Sequence, residues 1–245
     1  MDKFLYISMT GAKEALDAQR LRANNLANVS TAGFKADFHQ YRSMSVFGDH
    51  FPSRAYAMSE RPGTDKSEGV YMETARDLDV AIKGDGWFAV QMPDGSEAYT
   101  RAGDLKRDVS GAVTTGTGLP LLGDGGPIVL PEYDKLVVGM DGTLSITGLG
   151  EDALSLTQIA RIKLVNPDEK EMVKGEDGLF RMRGGGGLQS DPNVQIVNGM
   201  LEGSNVNPVN EMTSIISHAR LYEMNVKMMQ AAKEMDEASA RIMQN

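Results

Sequence analysis

Apolar positions recur every three or four residues at both ends of this chain and alternate in short runs between them. Near the N-terminus, Leu5, Met9, Ala12, Leu16, Gln19, Ala23 and Leu26 advance by alternate steps of four and three. Near the C-terminus, Met212, Ile215, Ala219, Tyr222, Val226 and Met229 advance in the same way. Such spacing draws one apolar seam along a helix, suited to packing on other helices rather than on a broad core. It predicts helices over residues 2–28 and 208–244. Ala, Leu, Lys, Glu, Gln and Arg dominate the first, all good helix formers. Gly11 is its weak point, at roughly 1 kcal/mol against Ala, and a place where another backbone can approach closely. Asn28, Ser30, Thr31 and Gly33 supply turn chemistry after it. Pro208 suits the first position of the second helix, with Asn205 and Asn207 available as caps. The second seam slips after Met229, at Lys233 and Asp236.

Residues 34–70 show no sustained period. Phe34, Phe38, Tyr41, Phe47, Phe51 and Tyr56 are scattered among polar residues, Pro52 and Gly63, which reads as an extended arm. From about 71 the pattern turns to β. Asp77 to Ile82 alternates polar and apolar, and Trp87 to Met92 follows a Gly-Asp-Gly corner. Further strands are expected at 128–130, 135–138, 143–146 and 161–165, while Ala153 to Ile159 fits a strand or a helical turn. Asp-Gly pairs at 85–86, 94–95, 124–125, 141–142 and 177–178 mark hairpin turns. Gly184 to Gly187 reads as a loop. The predicted fold class is α+β, with coiled-coil-like terminal N- and C-helices and a central antiparallel β domain. The predicted segments are 1–33 (N-helix), 34–70 (arm), 71–205 (β domain) and 206–245 (C-helix).

Charge separates the same regions. The chain carries a formal net charge of −9, and all of it falls on residues 29–207. The near-neutral helices can therefore pack without like-charge repulsion. An acidic chain with a single Trp and no basic stripe argues against nucleic-acid binding. The 16 methionines include Met212, Met224, Met228, Met229, Met235 and Met243 of the second helix, where they suit packing on non-identical neighbours.

Candidate chemistry is thin. There is no cysteine, so no disulfide, thiolate metal site or cysteine nucleophile. His39, His50 and His218 lack ligand spacing, and no phosphate-cradling loop is present. Asp77, Asp79 and Asp85 are the candidates for carboxylate acid–base chemistry. Their competing reading, which we favour, is as outward residues of one strand and a turn, with Asp77 and Asp79 on one face. No apolar run is long enough to cross a membrane, and no secretory signal is recognisable at the N-terminus. No cofactor, metal or small-molecule substrate is expected.

Residues 24–35 read Asn-Asn-Leu-Ala-Asn-Val-Ser-Thr-Ala-Gly-Phe-Lys. This run resembles the N-terminal signature of the bacterial flagellar rod and hook proteins, an Asn-Leu-Ala-Asn core followed by Thr-x-Gly-Phe. Asp77 to Ile82, Gly84 to Phe88, Tyr99-Thr100-Arg101-Ala102-Gly103, Gly126-Pro127-Ile128 and Leu201 to Asn207 resemble further blocks of that family. Ala32 departs from the Pro or Asn of many members. The resemblance implies a structural subunit of the proximal rod of the flagellar basal body, without catalytic activity. It implies export by the flagellar type III apparatus without a cleaved signal peptide and assembly in the periplasmic part of the rod. The helices would form an inner layer lining the export channel, the β domain an outer layer, and the rod a drive shaft from motor to hook. Partners would be other rod proteins, proximal and distal, and copies of itself in a helical assembly. On this reading Leu5, Met9, Leu16, Leu26, Asn24, Asn25, Asn28, Phe34, Met212, Ile215, Ala219, Tyr222, Val226 and Met229 are interface residues. The three asparagines have a second reading as plain capping and turn residues. A distal rod subunit, or a secreted enzyme acting on cell wall, are the alternatives.

Overall fold

A computed structural model describes residues 2–39, 41–47, 52–59, 63–150 and 155–243. His50, Phe51 and Ala153, named above, lie outside the described residues. The chain divides into two compact units. One holds residues 1–29, 36–65 and 206–245; the other holds 30–35 and 66–205.

In the helical unit, α1 spans Asp2–Ala27 and α2 spans Pro208–Met243. The side chain of Asn207 caps α2, accepting from the N–H groups of Val209 (3.1 Å) and Asn210 (3.2 Å), with Pro208 at the first helical position. Asn28 ends α1, its Nδ2 donating to the Asn24 carbonyl at 2.9 Å. The helices run antiparallel. Asn25 and Arg22 meet Glu211, while Gly11, further back along α1, meets Asn225, further on along α2. A Cβ at Gly11 would lie 2.8 Å from Asn225 Oδ1, so what lies against this glycine is a side chain of α2, where the sequence suggested a backbone. The segment read as an arm is more regular than its sequence suggests. Strands Tyr41–Phe47 and Pro52–Ser59 form an antiparallel hairpin, and Asp37–Phe38 pairs with Gly63–Thr64. Its aromatics hid the strands because they follow no period of two.

The β unit is antiparallel in every described pairing. A five-stranded sheet runs Leu164–Val165, Trp87–Gln91, Glu97–Thr100, Phe180–Met182, Met172–Lys174. A three-stranded sheet runs Tyr133–Val138, Thr143–Gly148, Thr157–Arg161. Two-stranded ribbons join Val80–Lys83 to Gln195–Asn198 and Tyr71–Glu73 to Met200–Glu202. The run Trp87 to Val90 is buried throughout because both faces of its sheet are covered. Phe88 and Val90 enter the main core with Ile82, Leu105 and Leu121. Trp87 and Ala89 enter a second cluster, where the Trp87 and Phe180 rings lie 4.4 Å apart.

Four of the five Asp-Gly pairs lie in hairpin turns between paired strands. The pair at 85–86 instead turns a corner, since Val80–Lys83 and Trp87–Gln91 belong to different sheets. Residues 128–130 form no strand of their own; Val129 alone among them makes an isolated bridge, to Ala112.

Candidate assembly site

The face that α1 turns inward is not the seam of large residues. Ala15 is 2 % exposed and Ser8, Ala12 and Ala18 are equally buried, whereas Met9 is 50 % and Leu16 45 % exposed, with Phe4, Leu5 and Tyr6 beside them. The inward stripe is Ser8, Gly11, Ala12, Ala15 and Ala18, which shares only Ala12 with the seam read from the sequence. Small side chains allow two helix backbones to approach closely, and Leu at those positions would hold them apart. The result is a helix with two faces, a buried small-residue face that meets α2 at Gly11 and a large apolar face left uncovered. On α2, Met212 and Tyr222 are exposed, as are Ile216, Leu221 and Met224. Ile215, Ala219, Val226 and Met229 are half-buried and share a stripe with His218 and Asn225.

The asparagines of the signature divide their work. Asn25 is completely buried. Its Nδ2 donates to the Asp37 carbonyl at 2.8 Å and lies 3.5 Å from Glu211 Oε1, while its Oδ1 accepts from the Asp37 N–H at 3.0 Å. Glu211 also accepts from Arg22 Nη1 at 3.0 Å. His218 lies near, and burial with the neighbouring Arg22 charge pushes its pKa down. Asn24 is exposed and, with Asp17, Arg20, Leu21, Ala23 and His39, lines an open groove of about 670 Å³. Leu26 is half-buried, and Asn28 serves the helix end.

Phe34 belongs to the β unit, half-buried beneath the Lys174 ammonium, which lies 4.1 Å from its ring centroid. It marks a site that sequence reasoning missed. Lys35, Arg101 and Glu202 are all buried, and Glu202 gathers the other two. Lys35 Nζ donates to Glu202 Oε1 at 2.6 Å and to the Ser67 carbonyl at 2.6 Å. Arg101 Nη1 donates to Glu202 Oε2 at 3.0 Å, and its Nη2 to the Gly84 carbonyl at 2.8 Å. The Gly69 N–H completes the set on Oε1 at 3.0 Å. Two cations thus share one carboxylate. Burial pushes the Lys35 pKa down, the Glu202 contact opposes that, and the Arg101 charge adds to it. Gly33 adopts φ +66° against the Arg101 backbone, where any Cβ would overlap the main chain, and its N–H donates to the Glu202 carbonyl at 2.7 Å. A signal did exist, since Lys35, Arg101 and Glu202 all lie within the sequence blocks that carried the family resemblance.

The carboxylates weighed as catalytic do not come together as a pair. Asp79 is buried rather than outward, 3.4 Å from Arg76, and its residue makes an isolated bridge with Asp104. Asp77 lies in a turn beside a hollow shared with Ala75, Arg76, Leu78 and Tyr133, and Asp85 sits at an exposed bend. The strand begins only at Val80, so positions 77 and 79 do not share a strand face. Among the described residues no group of three or more His, Cys, Asp or Glu could hold a metal ion. No described helix is long and apolar enough to cross a membrane.

Three stretches of the chain match described families. Residues 5–35 match "Flagella basal body rod protein", 81–146 the "Flagellar hook protein FlgE/F/G D1 domain", and 197–242 "Flagellar basal body rod FlgEFG protein C-terminal". The chain is 39% identical to the flagellar basal-body rod protein FlgF of Escherichia coli (strain K12), over 96% of this chain and 95% of that one. It is 38% identical to FlgF of Salmonella typhimurium, with the same shares covered. The rod protein FlgG of Buchnera aphidicola subsp. Schizaphis graminum is 34% identical over 94% of this chain and 96% of its own. The chain belongs to the flagellar basal-body rod protein family. Its work is that of a structural subunit of the basal-body rod, in the proximal segment.

Proposed function

We propose that this chain builds the rod through the uncovered faces of its two helices. The helices would line the export channel as an inner layer. The observation that carries this reading is the division of α1 into two faces, small residues buried and Leu5, Met9 and Leu16 left open. An isolated subunit gains nothing from exposing large side chains in a row along a helix, whereas a subunit of a helical assembly buries them against neighbours. Its partners on this reading are copies of itself and other rod-family subunits, meeting the α1 face and the exposed Met212, Ile216 and Met224 of α2. Asn24, on its open groove, would add polar contacts. The chain would act in the periplasmic part of the rod, reach it through the flagellar export apparatus, and transmit torque without catalysing a reaction. The dispersed positions of Asp77, Asp79 and Asp85 support the last point.

Leu16→Asp tests the proposal. The α1–α2 pair and the β unit should keep their circular dichroism and thermal midpoint, because residue 16 is exposed in the subunit. Incorporation into isolated basal bodies and swimming should be lost, because assembly would bury an unpaired charge. Normal incorporation of the variant would refute the assignment of this face.

A further inference from the structure

The ion cluster around Glu202 ties together three passages of chain that are remote in sequence. Residues 33–35 leave α1, residues 67–69 enter the β unit, and residues 202–205 lead to α2. Besides the Glu202 contacts, Asn205 N–H donates to the Phe34 carbonyl at 3.4 Å and Asn205 Nδ2 to the Ser67 carbonyl at 3.2 Å. Lys174 Nζ donates to the Lys35 carbonyl at 2.7 Å while covering the Phe34 ring. Arg101 lies 5.3 Å from the Trp87 ring centroid, which anchors the cluster to the five-stranded sheet. A hinge is built from exposed, weakly held backbone. This is the opposite arrangement. The segments leading to both helices are gripped by charge-assisted bonds in a buried site, where any displacement separates ions at low dielectric.

We propose that Lys35, Arg101, Glu202 and Lys174 form a rigid clamp on the two connecting segments, and that torque passes between the helices and the β unit through it. This rests on the reading of the chain as a rod subunit. A load applied to either helix reaches the β unit along residues 30–35 or 203–207, and the clamp prevents those segments from yielding before the sheet does.

The test uses the full chain carrying Lys35→Met or Lys174→Met, produced in cells that lack the unaltered protein. Amide hydrogen exchange of the purified chains should quicken by roughly tenfold or more at 31–35, 66–69 and 203–205, and stay unchanged in Trp87–Gln91. Both variants should still be recovered in isolated basal bodies. Swimming speed should fall more steeply with medium viscosity than it does for the unaltered protein. Unchanged exchange at the three segments would overturn the clamp. Quickened exchange with an unchanged speed–viscosity curve would overturn its mechanical role while leaving the rod reading intact. Absence of even the unaltered chain from basal bodies would instead sink the rod reading. Should Lys35→Met fail to fold, Lys174→Met decides by the same readouts, because it leaves the Glu202 ion pairs in place.

Discussion

Gly33 and Lys35 belong to the same short run, yet only one of them announced its role. A glycine after a helix is expected to take positive φ, and Gly33 does so at +66°. Lys35 carries no such mark, because its carboxylate partner lies 167 residues away and nothing local requires a buried cation. Long-range ion pairs leave no period and no spacing to detect. Two substitutions separate the contributions. Gly33→Ala should destabilise the β unit by at least about 1–2 kcal/mol from the left-handed conformation alone, and by more from the overlap with the Arg101 backbone. Glu202→Gln should be worse, since it leaves Lys35 and Arg101 buried without a counter-charge, at about 3–5 kcal/mol. Urea unfolding followed by Trp87 fluorescence would report both. A Glu202→Gln protein as stable as the unaltered one would mean that the cluster contributes nothing.

Helix periodicity was readable in the sequence, but the choice of inward face was not. The four-three alternation at Leu5, Met9, Ala12 and Leu16 and the stripe at Ser8, Ala12, Ala15 and Ala18 are neighbours on one helix, and hydrophobicity picks out the first, whose Leu5, Met9 and Leu16 are exposed in the subunit. The Asn225 side chain lying against Gly11, and the burial of Ala12, Ala15 and Ala18, mark the face that takes small residues. Ala15→Leu should therefore lower the stability of the helix pair by about 1–3 kcal/mol through overpacking. Leu16→Ala, one residue on, should change the subunit little and its assembly much. Thermal melts followed at 222 nm, set beside basal-body incorporation, distinguish the two. In the hairpins, turn chemistry was legible wherever Asp-Gly joins paired strands. The Asp141 carboxyl is held below its ordinary value of 3.8 by hydrogen bonds from Thr143, and that of Asp177 chiefly by Arg181. Carboxyls depressed in the folded state stabilise it above pH 3.8, and that contribution is lost as pH falls through their folded values. The thermal midpoint should drop on acidification in that window. The drop should be smaller in an Asp141→Asn, Asp177→Asn chain, and an equal drop would remove these turns from the account.

At the scale of the molecule, composition and charge already separated near-neutral helices from an acidic β region, but they misplace its edge. The β unit takes in residues 30–35 and starts again at 66, because Gly33, Lys35 and Gly69 bond to Glu202 and the Ser67 carbonyl accepts from Lys35. This gives a sharp expectation for excised fragments. Residues 71–205 contain every strand of the two larger sheets, yet of the partners of Glu202 they keep Arg101 and lose Lys35, Gly69 and Gly33. Removing one member of a buried ion cluster costs about 3–5 kcal/mol, against a typical domain stability of about 5–15 kcal/mol. Residues 30–205 retain those partners and carry 36–65 as a long loop. Lengthening a loop is mild by comparison, at about 0.6 kcal/mol for each doubling. The longer fragment should thus unfold cooperatively in urea, and the shorter one should show a much lower midpoint or no cooperative transition. Equal midpoints would mean that the strands hold the unit without the cluster. The clamp would then fasten the connecting segments onto an already complete fold, and its variants would loosen those segments while leaving the global unfolding transition where it was.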